Sequence, residues 1–260
     1  PNLQQIPARH GILGPLIRSI FIPEKDHEWG IFDYSQQEPR LVVHYASLRH
    51  FTGAGKFVDS YQEDETTDFH TMVSEMADIP RKQAKTINLG LFYGMGKGKL
   101  MSQLGVTLET ASELLASYNE RVPFVKQLMN DTMNKAGKKG YLSTLEGRRC
   151  RFDQWEPTNE WGQKSLPLAE AQQQYGEHMI KRAWTYKALN RLIQGSAADQ
   201  TKKAMLALAK EGYLAHIQVH DELDFSVASD ADKAKIKDIM ENCVELSVPS
   251  KVDVECGDNW

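Results

Sequence analysis

The chain has 260 residues, of which 41% are hydrophobic and 25% charged, and its net charge is −4 at pH 7. This length and apolar fraction allow a substantial hydrophobic core in one domain or two. Charged residues interrupt every apolar run, which argues against a membrane span, and three scattered cysteines argue against a disulfide framework or a zinc site.

The first quarter of the chain predicts two strands followed by a helix. Short apolar runs at residues 20–22 and 29–32 are separated by a charged turn, and a helical pattern runs from about Glu38 to Leu48. Residues 59–68 contain five acidic residues and no basic one, which predicts an exposed connection. No apolar leader opens the sequence, so nothing favours secretion, and the three scattered cysteines predict a reducing cytoplasm.

A helical period dominates from residue 67 to about residue 139. Residues 81–151 hold 13 Lys and Arg against 5 Asp and Glu, whereas the rest of the chain holds 18 against 30. This asymmetry is typical of a surface that binds a polyanion, although a solvated helix face would produce it equally well. Within this segment a helix beginning at residue 81 presents one stripe of side chains at four-residue spacing: Arg81, Lys85, Leu89 and Tyr93.

The last third predicts a short hairpin, a long helix and a second hairpin. The first hairpin covers residues 141–152, and the Gln-, Glu- and Trp-rich segment 153–180 has no assigned role. A helix is expected over about residues 182–211. Alternating apolar residues on both sides of His220-Asp221-Glu222 predict the second hairpin, and a further helix and a short strand at 252–254 close the chain.

Two carboxylates lie at the ends of apolar strand patterns, Asp33 and Asp221. Because a lone carboxylate is costly to bury, each must meet a cation, a metal ion or solvent. If the two strands are neighbours, the carboxylates converge and predict a site for two Mg²⁺ ions, with Mn²⁺ able to substitute. For either residue alone a turn or capping role is the more ordinary interpretation, and only their combination with the basic helix favours metal-dependent chemistry.

The basic helix offers two cations that suit phosphate oxygens, Arg81 through its planar fork and Lys85 as a point charge. Two bases four residues apart are common on ordinary helices, so this pair alone is a weak indication.

Glu38 follows Ser35 at the spacing of a capping box. With Ser35 as the N-cap, however, Pro39 would need an amide hydrogen that it lacks. We therefore expect the helix to begin after Ser35, which leaves Glu38 available for another role.

Three segments resemble, in the same order, the three polymerase motifs of the family A DNA polymerases, the group of bacterial DNA polymerase I and phage replicative enzymes. They are Asp33-Tyr34-Ser35-Gln36-x-Glu38-x-Arg40, Arg81-x-x-x-Lys85-x-x-Asn88-x-Gly90-x-x-Tyr93-Gly94 and Gln218-Val219-His220-Asp221-Glu222-Leu223. Shorter matches extend over the whole chain: Pro1-Asn2-Leu3-Gln4-x-Ile6-Pro7-x-Arg9, Asp68-x-His70, Gly147-Arg148-Arg149, Asn190-x-x-x-Gln194-Gly195 and Gly257-Asp258-Asn259-Trp260. Independent motifs in family order argue strongly against a chance match.

The resemblance implies an α+β right-hand polymerase fold, with an antiparallel palm sheet flanked by helices and a helical fingers subdomain. The palm would comprise residues 1–66 and 181–260, and the fingers residues 67–180, with residues 153–180 as a phage-like insert. Family thumb and exonuclease regions lie upstream of the first match, so we expect the thumb to be absent here and supplied by an upstream region or a partner chain. A phage origin is the preferred interpretation, in a bacterial or phage-infected host cell.

The resemblance also implies DNA-directed DNA synthesis from dNTPs on a primer–template, a nucleotidyl transfer by a two-metal mechanism. Asp33 and Asp221 would bind the metals with the Tyr34 backbone carbonyl, and Lys85 would also protonate the departing pyrophosphate. The incoming nucleotide would be bound by Arg81, Lys85, Leu89, Tyr93, Gln36, Glu38 and His70. Of these, Glu38 and Tyr93 would fill the space that a ribose 2′-hydroxyl needs. DNA would be contacted by Arg9, Asn190, Gln194, His220 and Arg148.

Three positions depart from the family pattern. Leu89 stands where relatives carry an aromatic residue, which predicts slower incorporation because the flat ring face is lost. Gln37 and Pro39 replace apolar residues of the first motif. Two rival interpretations stay open: a catalytically weak DNA-binding fragment that needs a thumb, and a single-subunit RNA polymerase, against which Glu38 and His220 argue.

Overall fold

The computed structural model describes residue 6 and residues 10–159 and 162–260. In these ranges the chain has the predicted α+β composition. Short 3₁₀ turns lie at Glu177–Met179 and Thr185–Lys187. The helices are, in chain order, α1 (Leu13–Arg18), α2 (Gln37–Ser47), α3 (Ala54–Glu63), α4 (Phe69–Ala77), α5 (Arg81–Phe92), α6 (Lys97–Leu104), α7 (Leu108–Arg121), α8 (Pro123–Lys139), α9 (Leu168–Tyr175), α10 (Ala188–Lys210) and α11 (Asp230–Asn242).

All strand pairs in the described ranges are antiparallel. The strands are β1 (Glu28–Tyr34), β2 (Tyr141–Ser143), β3 (Arg149–Arg151), β4 (Trp155–Pro157), β5 (Ile180–Arg182), β6 (Ile217–Val219), β7 (Glu222–Val227) and β8 (Val252–Gly257). The main sheet has the strand order β6-β7-β1-β8, while β2 pairs with β3 and β4 with β5.

One face of the main sheet is apolar. In β1, Phe32 and Tyr34 are buried, whereas Asp33 between them is exposed. Phe32 lies opposite Leu223 in the β1–β7 register, and its ring packs edge-on against Phe225 at 5.5 Å between centroids. These side chains form a core with the C-terminal half of α10 and with α11. Because strand residues alternate between faces, Asp33 projects from the other face.

A second and larger core joins α2, α3, α4, α5 and α8 with the N-terminal half of α10. Phe69 on α4 contacts Phe57 of α3 and Phe124 of α8, with ring centroids 5.2 and 6.4 Å apart. Helices on both sides of residue 66 therefore share this core. The predicted palm and fingers boundaries do not coincide with a boundary between hydrophobic cores, and they stay a prediction.

Two predictions near the N-terminal end are wrong. Residues 20–22 form no strand: Ile20 and Ile22 are 70% and 68% exposed, and no strand of the described ranges pairs with them. Residues 59–63 are not part of a connection but the last turn of α3. This helix buries Phe57 and Tyr61 one turn apart, a pattern that the acidic composition of the segment obscured.

The long helix begins later than predicted, at Ala188 instead of residue 182. Arg182 ends β5, and Trp184 has a φ of 58°, a left-handed conformation that is incompatible with a continuous α-helix. The preceding insert folds as β4, α9 and β5. Arg182 anchors it, with its guanidinium 4.6 Å from the Trp155 ring centroid and a 2.7 Å hydrogen bond donated to the Phe152 carbonyl. Among the described residues we find no helix both long and apolar enough to cross a bilayer.

Candidate active site

The two predicted metal carboxylates lie on adjacent strands. Asp33 is in register with Glu222, the first residue of β7, and Asp221 directly precedes that residue. The Tyr34 amide donates a 3.4 Å hydrogen bond to the Asp221 carbonyl. The predicted adjacency of the two strands is therefore confirmed, with both carboxylates at the same end of the sheet.

A residue in the left-handed conformation directly precedes Asp221, and another lies three positions after Asp33. His220, between β6 and Asp221, has a φ of 56°, and Gln36, between β1 and α2, has a φ of 53°. Non-glycine residues in this region are uncommon and concentrate at functional sites. The left-handed conformation of His220 closes the β6–β7 hairpin. The side-chain amide of Gln218 donates a 3.2 Å hydrogen bond to the His220 carbonyl.

The electrostatics at this end of the sheet disfavour the ionised forms of Asp33 and Asp221 when no cation is bound. Asp33 is exposed at one side only, and desolvation of its partly covered carboxylate, followed by the charges of Asp221, Glu222, Asp253 and Glu255, raises its pKa to about 7. Burial also raises the pKa of Asp221, although a backbone hydrogen bond and His220 oppose the shift. Concentrated negative charge of this kind is what divalent cations neutralise.

The donors fit Mg²⁺ better than a metal that needs a full protein cage. In the described ranges no group of three or more His, Cys, Asp and Glu side chains is arranged to hold a metal ion. Mg²⁺ commonly takes one or two carboxylates and completes its shell with water and substrate phosphates. The Tyr34 side chain is turned away, since its hydroxyl donates to the Met240 carbonyl at 2.7 Å, and only its backbone carbonyl remains as a candidate ligand.

The stripe on α5 is present, but its two cations differ. Arg81 forms a bidentate pair with Asp68, the N-cap residue of α4, with Nη2–Oδ2 and Nε–Oδ1 distances of 2.8 and 3.2 Å. Burial raises the pKa of Asp68, but hydrogen bonds from Arg81 and Thr71 outweigh it and bring the pKa to about 2. Lys85 is exposed and forms no hydrogen bond or ion pair in the described part of the chain.

A cavity of about 640 Å³ lies between α2, α4, α5, α10 and the β6–β7 turn. Eight predicted site residues line it: Gln36, Glu38, His70, Leu89, Tyr93, Gln194, His220 and Asp221. Residues that are up to about 185 positions apart in the sequence therefore converge on one space large enough for a small-molecule ligand.

Glu38 and Tyr93 meet on the wall of this cavity. The Tyr93 hydroxyl donates to Glu38 Oε2 at 2.9 Å. Burial raises the pKa of Glu38, and the bond from Tyr93 opposes this. Burial and the Glu38 charge raise the pKa of Tyr93 to about 12. As predicted, α2 begins after Ser35, at Gln37, and Glu38 does not cap it.

Gln36 uses most of its amide group inside the protein. Its Oε1 accepts from the Phe69 amide at 2.8 Å and from the Tyr61 hydroxyl at 3.4 Å, and its Nε2 donates to the Thr67 carbonyl at 3.0 Å. In the described part of the chain the second N–H of this amide has no partner, and it can face a substrate. The predicted contact between Gln36 and the triphosphate stays a prediction. The hydrogen bonds of Gln36 to α3, α4 and the segment between them give it a structural role as well.

The predicted DNA contacts are distributed over α10, two hairpins and the chain start. Asn190 and Gln194 lie one turn apart on α10, and Gln194 lines the cavity. The Arg148 Nε–Asp199 Oδ1 distance is 2.9 Å, and Arg148 Nη2 donates to the Gly195 carbonyl at 2.7 Å, so this guanidinium is held against α10 and only partly available. Arg9 lies outside the described residues.

A sequence model of DNA polymerase family A matches residues 1–260, the whole chain. The chain belongs to DNA polymerase family A. It is 39% identical over 301 residues to a DNA-directed DNA polymerase of Pseudomonas phage M6, and 34% identical over 273 residues to DNA polymerase I of Bacillus subtilis (strain 168). Both alignments cover 100% of this chain, but only 42% of the phage protein and 29% of the Bacillus protein.

A solved structure agrees with this assignment. The POL domain of Pol1 from M. smegmatis, in complex with DNA primer-template and dNTP, matches with a TM-score of 0.78 and 30% identity, covering 100% of this chain and 44% of that chain. The family A fold implied by the motifs is therefore confirmed, and the chain spans less than half of each of these three relatives.

Sequence reasoning missed Arg40 as a structural centre of this family A site. Arg40 is fully buried, and its guanidinium donates to three backbone carbonyls, those of Ser35 at 2.9 Å, Pro249 at 2.6 Å and Glu65 at 2.6 Å. It also stacks on the Tyr61 ring at 4.5 Å. An arginine directly before the apolar run Leu41-Val42-Val43 was the available signal, because a guanidinium buried beside such a run requires several acceptors.

Gln37, which replaces an apolar residue of the family motif, forms hydrogen bonds with side chains of another helix. Gln37 is buried, and its Nε2 lies 3.3 Å from Gln200 Oε1 and 3.2 Å from Thr201 Oγ1, both on α10. Pro39 lies in the first turn of α2, where its missing amide hydrogen costs little. Neither departure from the family motif disrupts the helix.

Proposed function

We propose that this chain carries the active site for template-directed DNA synthesis. It transfers a deoxynucleotidyl group from a dNTP to the 3′-hydroxyl of a DNA primer and releases pyrophosphate. The observation that supports this best is that Asp33 and Asp221 lie at one end of the sheet, beside a cavity that Asp221 and Leu89 of α5 line. Membership of family A supports the reaction class.

Asp33, Asp221 and the Tyr34 carbonyl would hold two Mg²⁺ ions, with Mn²⁺ as a substitute. When bound, these ions supply charge stabilisation to the attacking and leaving oxygens of an in-line displacement. The raised pKa values of both aspartates support this assignment, because they mark negative charge that the protein itself leaves uncompensated.

The triphosphate would lie along the α5 stripe. Lys85, exposed and unpaired in the described part of the chain, can approach a phosphate oxygen and give a proton to the departing pyrophosphate. Arg81 keeps Asp68 as its partner and has Nη1 left to donate. His70 lines the same cavity and supplies a neutral donor.

The sugar and base of the nucleotide would contact Glu38, Tyr93 and Leu89. The hydrogen-bonded side chains of Glu38 and Tyr93 fill the space beside the sugar. A ribose 2′-hydroxyl would either clash with them or displace Tyr93 from the Glu38 carboxylate, which would lose its hydrogen bond. Leu89 gives the base an apolar contact without a flat ring.

The DNA would be contacted by Asn190, Gln194, His220 and Arg148, together with Arg9. A thumb, and any exonuclease, would come from an upstream region or a partner chain, since the relatives are more than twice as long as this chain. We expect the protein to act in the cytoplasm of a bacterial or phage-infected host cell. The similarity to a protein of Pseudomonas phage M6 supports a phage origin.

Primer extension with Mg²⁺ tests the proposal. The chain and its Asp33→Ala variant are given a primed DNA template with either dNTPs or NTPs. We expect extension with dNTPs alone, absent from the variant. Extension with NTPs only would instead indicate a single-subunit RNA polymerase.

The second candidate function is a DNA-binding fragment that is catalytically weak until a thumb is supplied. This candidate is supported by the coverage of the three relatives, because the chain matches less than half of each of them. Weak grip on the duplex would make extension strongly salt-dependent. The assay is therefore run at low and moderate salt, with and without the upstream region of the phage relative added as a separate chain. Extension that appears only with the added chain would identify this candidate.

A further inference from the structure

A buried hydrogen-bonded chain connects three helices behind the cavity. His70 on α4 is 7% exposed, and its Nδ1 lies 2.9 Å from the side-chain nitrogen of Asn88 on α5. The Tyr118 hydroxyl on α7 lies 2.5 Å from Asn88 Oδ1. Asn88 and Tyr118 are both fully buried, so water does not compete for these groups.

The hydroxyl hydrogen of Tyr118 decides the orientation of the Asn88 amide. In the described part of the chain this hydroxyl has Asn88 as its one partner, and an unpaired buried O–H is costly. It must therefore donate, which requires the carbonyl oxygen of Asn88 to face it. The Asn88 NH₂ group then faces His70 and donates to Nδ1, because an amide nitrogen cannot accept.

The orientation of Asn88 in turn fixes the tautomer of His70. An imidazole nitrogen that accepts a hydrogen bond carries no proton, so the single proton of the neutral ring is on Nε2. The ring stays neutral, since burial, aided by the nearby charges of Lys85 and Arg81 and opposed by that of Asp68, lowers the pKa of His70 to about 4. With Nδ1 occupied, Nε2–H is the group left to face the cavity.

We propose that Asn88 and Tyr118 are positioning residues that hold His70 as the Nε2–H tautomer, a neutral hydrogen-bond donor to a phosphate oxygen of the incoming nucleotide. The inference rests on the proposed function for the identity of the ligand, but not for the tautomer. Asn88 lies on α5, the helix that also carries Arg81 and Lys85. The direction of the His70 Nε2–H group is therefore coupled to the position of these two cations.

The tautomer is tested by the nitrogen NMR shifts of the imidazole rings, with the His70→Gln spectrum used to assign the His70 signals among the eight histidines. At pH 7.5 (roughly the working range, one unit above the usual histidine pKa) we expect a protonated Nε2 and an unprotonated Nδ1. In Asn88→Asp the carboxylate accepts a hydrogen bond from the ring, so the single proton moves from Nε2 to Nδ1 and the donor to the cavity is lost. A wild-type ring protonated at Nδ1 would overturn the proposal, whatever the activity of the chain.

Single-nucleotide incorporation tests the functional half. Asn88→Asp should raise the KM for dNTP by roughly tenfold, as expected for a lost hydrogen bond to a charged group. Tyr118→Phe, which only loosens the amide, should raise it by about threefold. In a His70→Gln background, where the donor is an amide without tautomers, Asn88→Asp should change KM by less than about twofold.

An equal effect of Asn88→Asp in both backgrounds would show a merely structural role for Asn88 and sink the proposal. If Asn88→Asp fails to fold, the wild-type spectrum and the Tyr118→Phe kinetics still decide it. If the wild-type protein incorporates no nucleotide while showing the Nε2–H tautomer, the proposed function fails and the positioning of His70 stands.

Discussion

The acidic end of the main sheet and the cationic stripe of α5 hold their functional groups by different means. Asp33 and Asp221 are placed by backbone pairing between β1 and β7 and by the three carbonyl bonds of Arg40 behind them. The cations of α5 are exposed, on long side chains, and among the described residues only Arg81 has a fixed partner. The acidic side is thus preorganised at an electrostatic cost, whereas the cationic side can adapt to the substrate.

The largest expected effect is on the acidic side. Asp33→Asn should lower nucleotide incorporation by roughly a thousandfold, since a carboxylate ligand contributes several kcal/mol to transition-state stabilisation. The same variant should be more stable than wild type without metal at pH 8, and Mg²⁺ should raise the Tm of the wild type only.

The pH dependence of that stability follows from the raised pKa of Asp33, about 7 against 3.8. Between these values the folded state keeps a proton that the unfolded state has lost, so wild-type stability falls as pH rises through this window. The Tm difference between Asp33→Asn and wild type in a chelator should therefore vanish near pH 3.8 and grow up to pH 7. Asp59→Asn, an exposed acid on α3, is the control. A difference independent of pH would contradict the electrostatic explanation.

The next largest effect is on the support of the acidic side. Arg40→Met should lower the free energy of unfolding by about 3 kcal/mol, because three part-buried hydrogen bonds between the guanidinium and backbone carbonyls are lost. Denaturant unfolding measures this. Arg49→Met, the next arginine along the chain and partly exposed, should cost less than about 1 kcal/mol. Similar costs for the two variants would mean that solvent replaces the Arg40 bonds.

On the cationic side the effects should be smaller and confined to substrate handling. Lys85→Ala should lower kcat/KM for dNTP by roughly tenfold to a hundredfold without changing Tm, because Lys85 has no partner in the described part of the chain. Lys82→Ala removes the same charge from an exposed position off the stripe and should have little effect. Equal losses would indicate general attraction of the nucleotide to a basic helix.

The smallest effect concerns the base contact. Leu89→Phe should raise the single-nucleotide incorporation rate by roughly twofold to tenfold, the range expected for one aromatic stacking contact. Leu89→Met supplies similar volume without a ring and should leave the rate near that of the wild type. Unchanged kinetics in Leu89→Phe would show that the cavity does not bring this position to the base.

Local patterns were enough to predict the carboxylate strands and the basic helix. Period-two alternation in β7 and an apolar run ending at Asp33 gave strands whose adjacency is confirmed, and the four-residue spacing of α5 gave one stripe. The same reasoning failed at residues 20–22, where an apolar run lies on the surface. Periodicity reports which faces are apolar, but not whether another element covers them.

Pairings between distant segments could not be read from the sequence. Asn88 meets Tyr118 and His70 only because three helices pack together, and Arg40 finds acceptors in segments up to 209 positions away. Each of these residues is polar and buried, so its partners depend on tertiary contacts that no local window contains.

The Gln37 amide and its acceptors on α10 limit how this sequence can be recombined. An engineer who replaces Gln37 with an apolar residue, as the family pattern predicts for the first motif, would place that side chain against Gln200 and Thr201. The two α10 side chains would then lose a buried neighbour to which they are matched. Viable chimaeras should therefore exchange residues 37, 200 and 201 as a unit, even though 163 positions separate the first from the second.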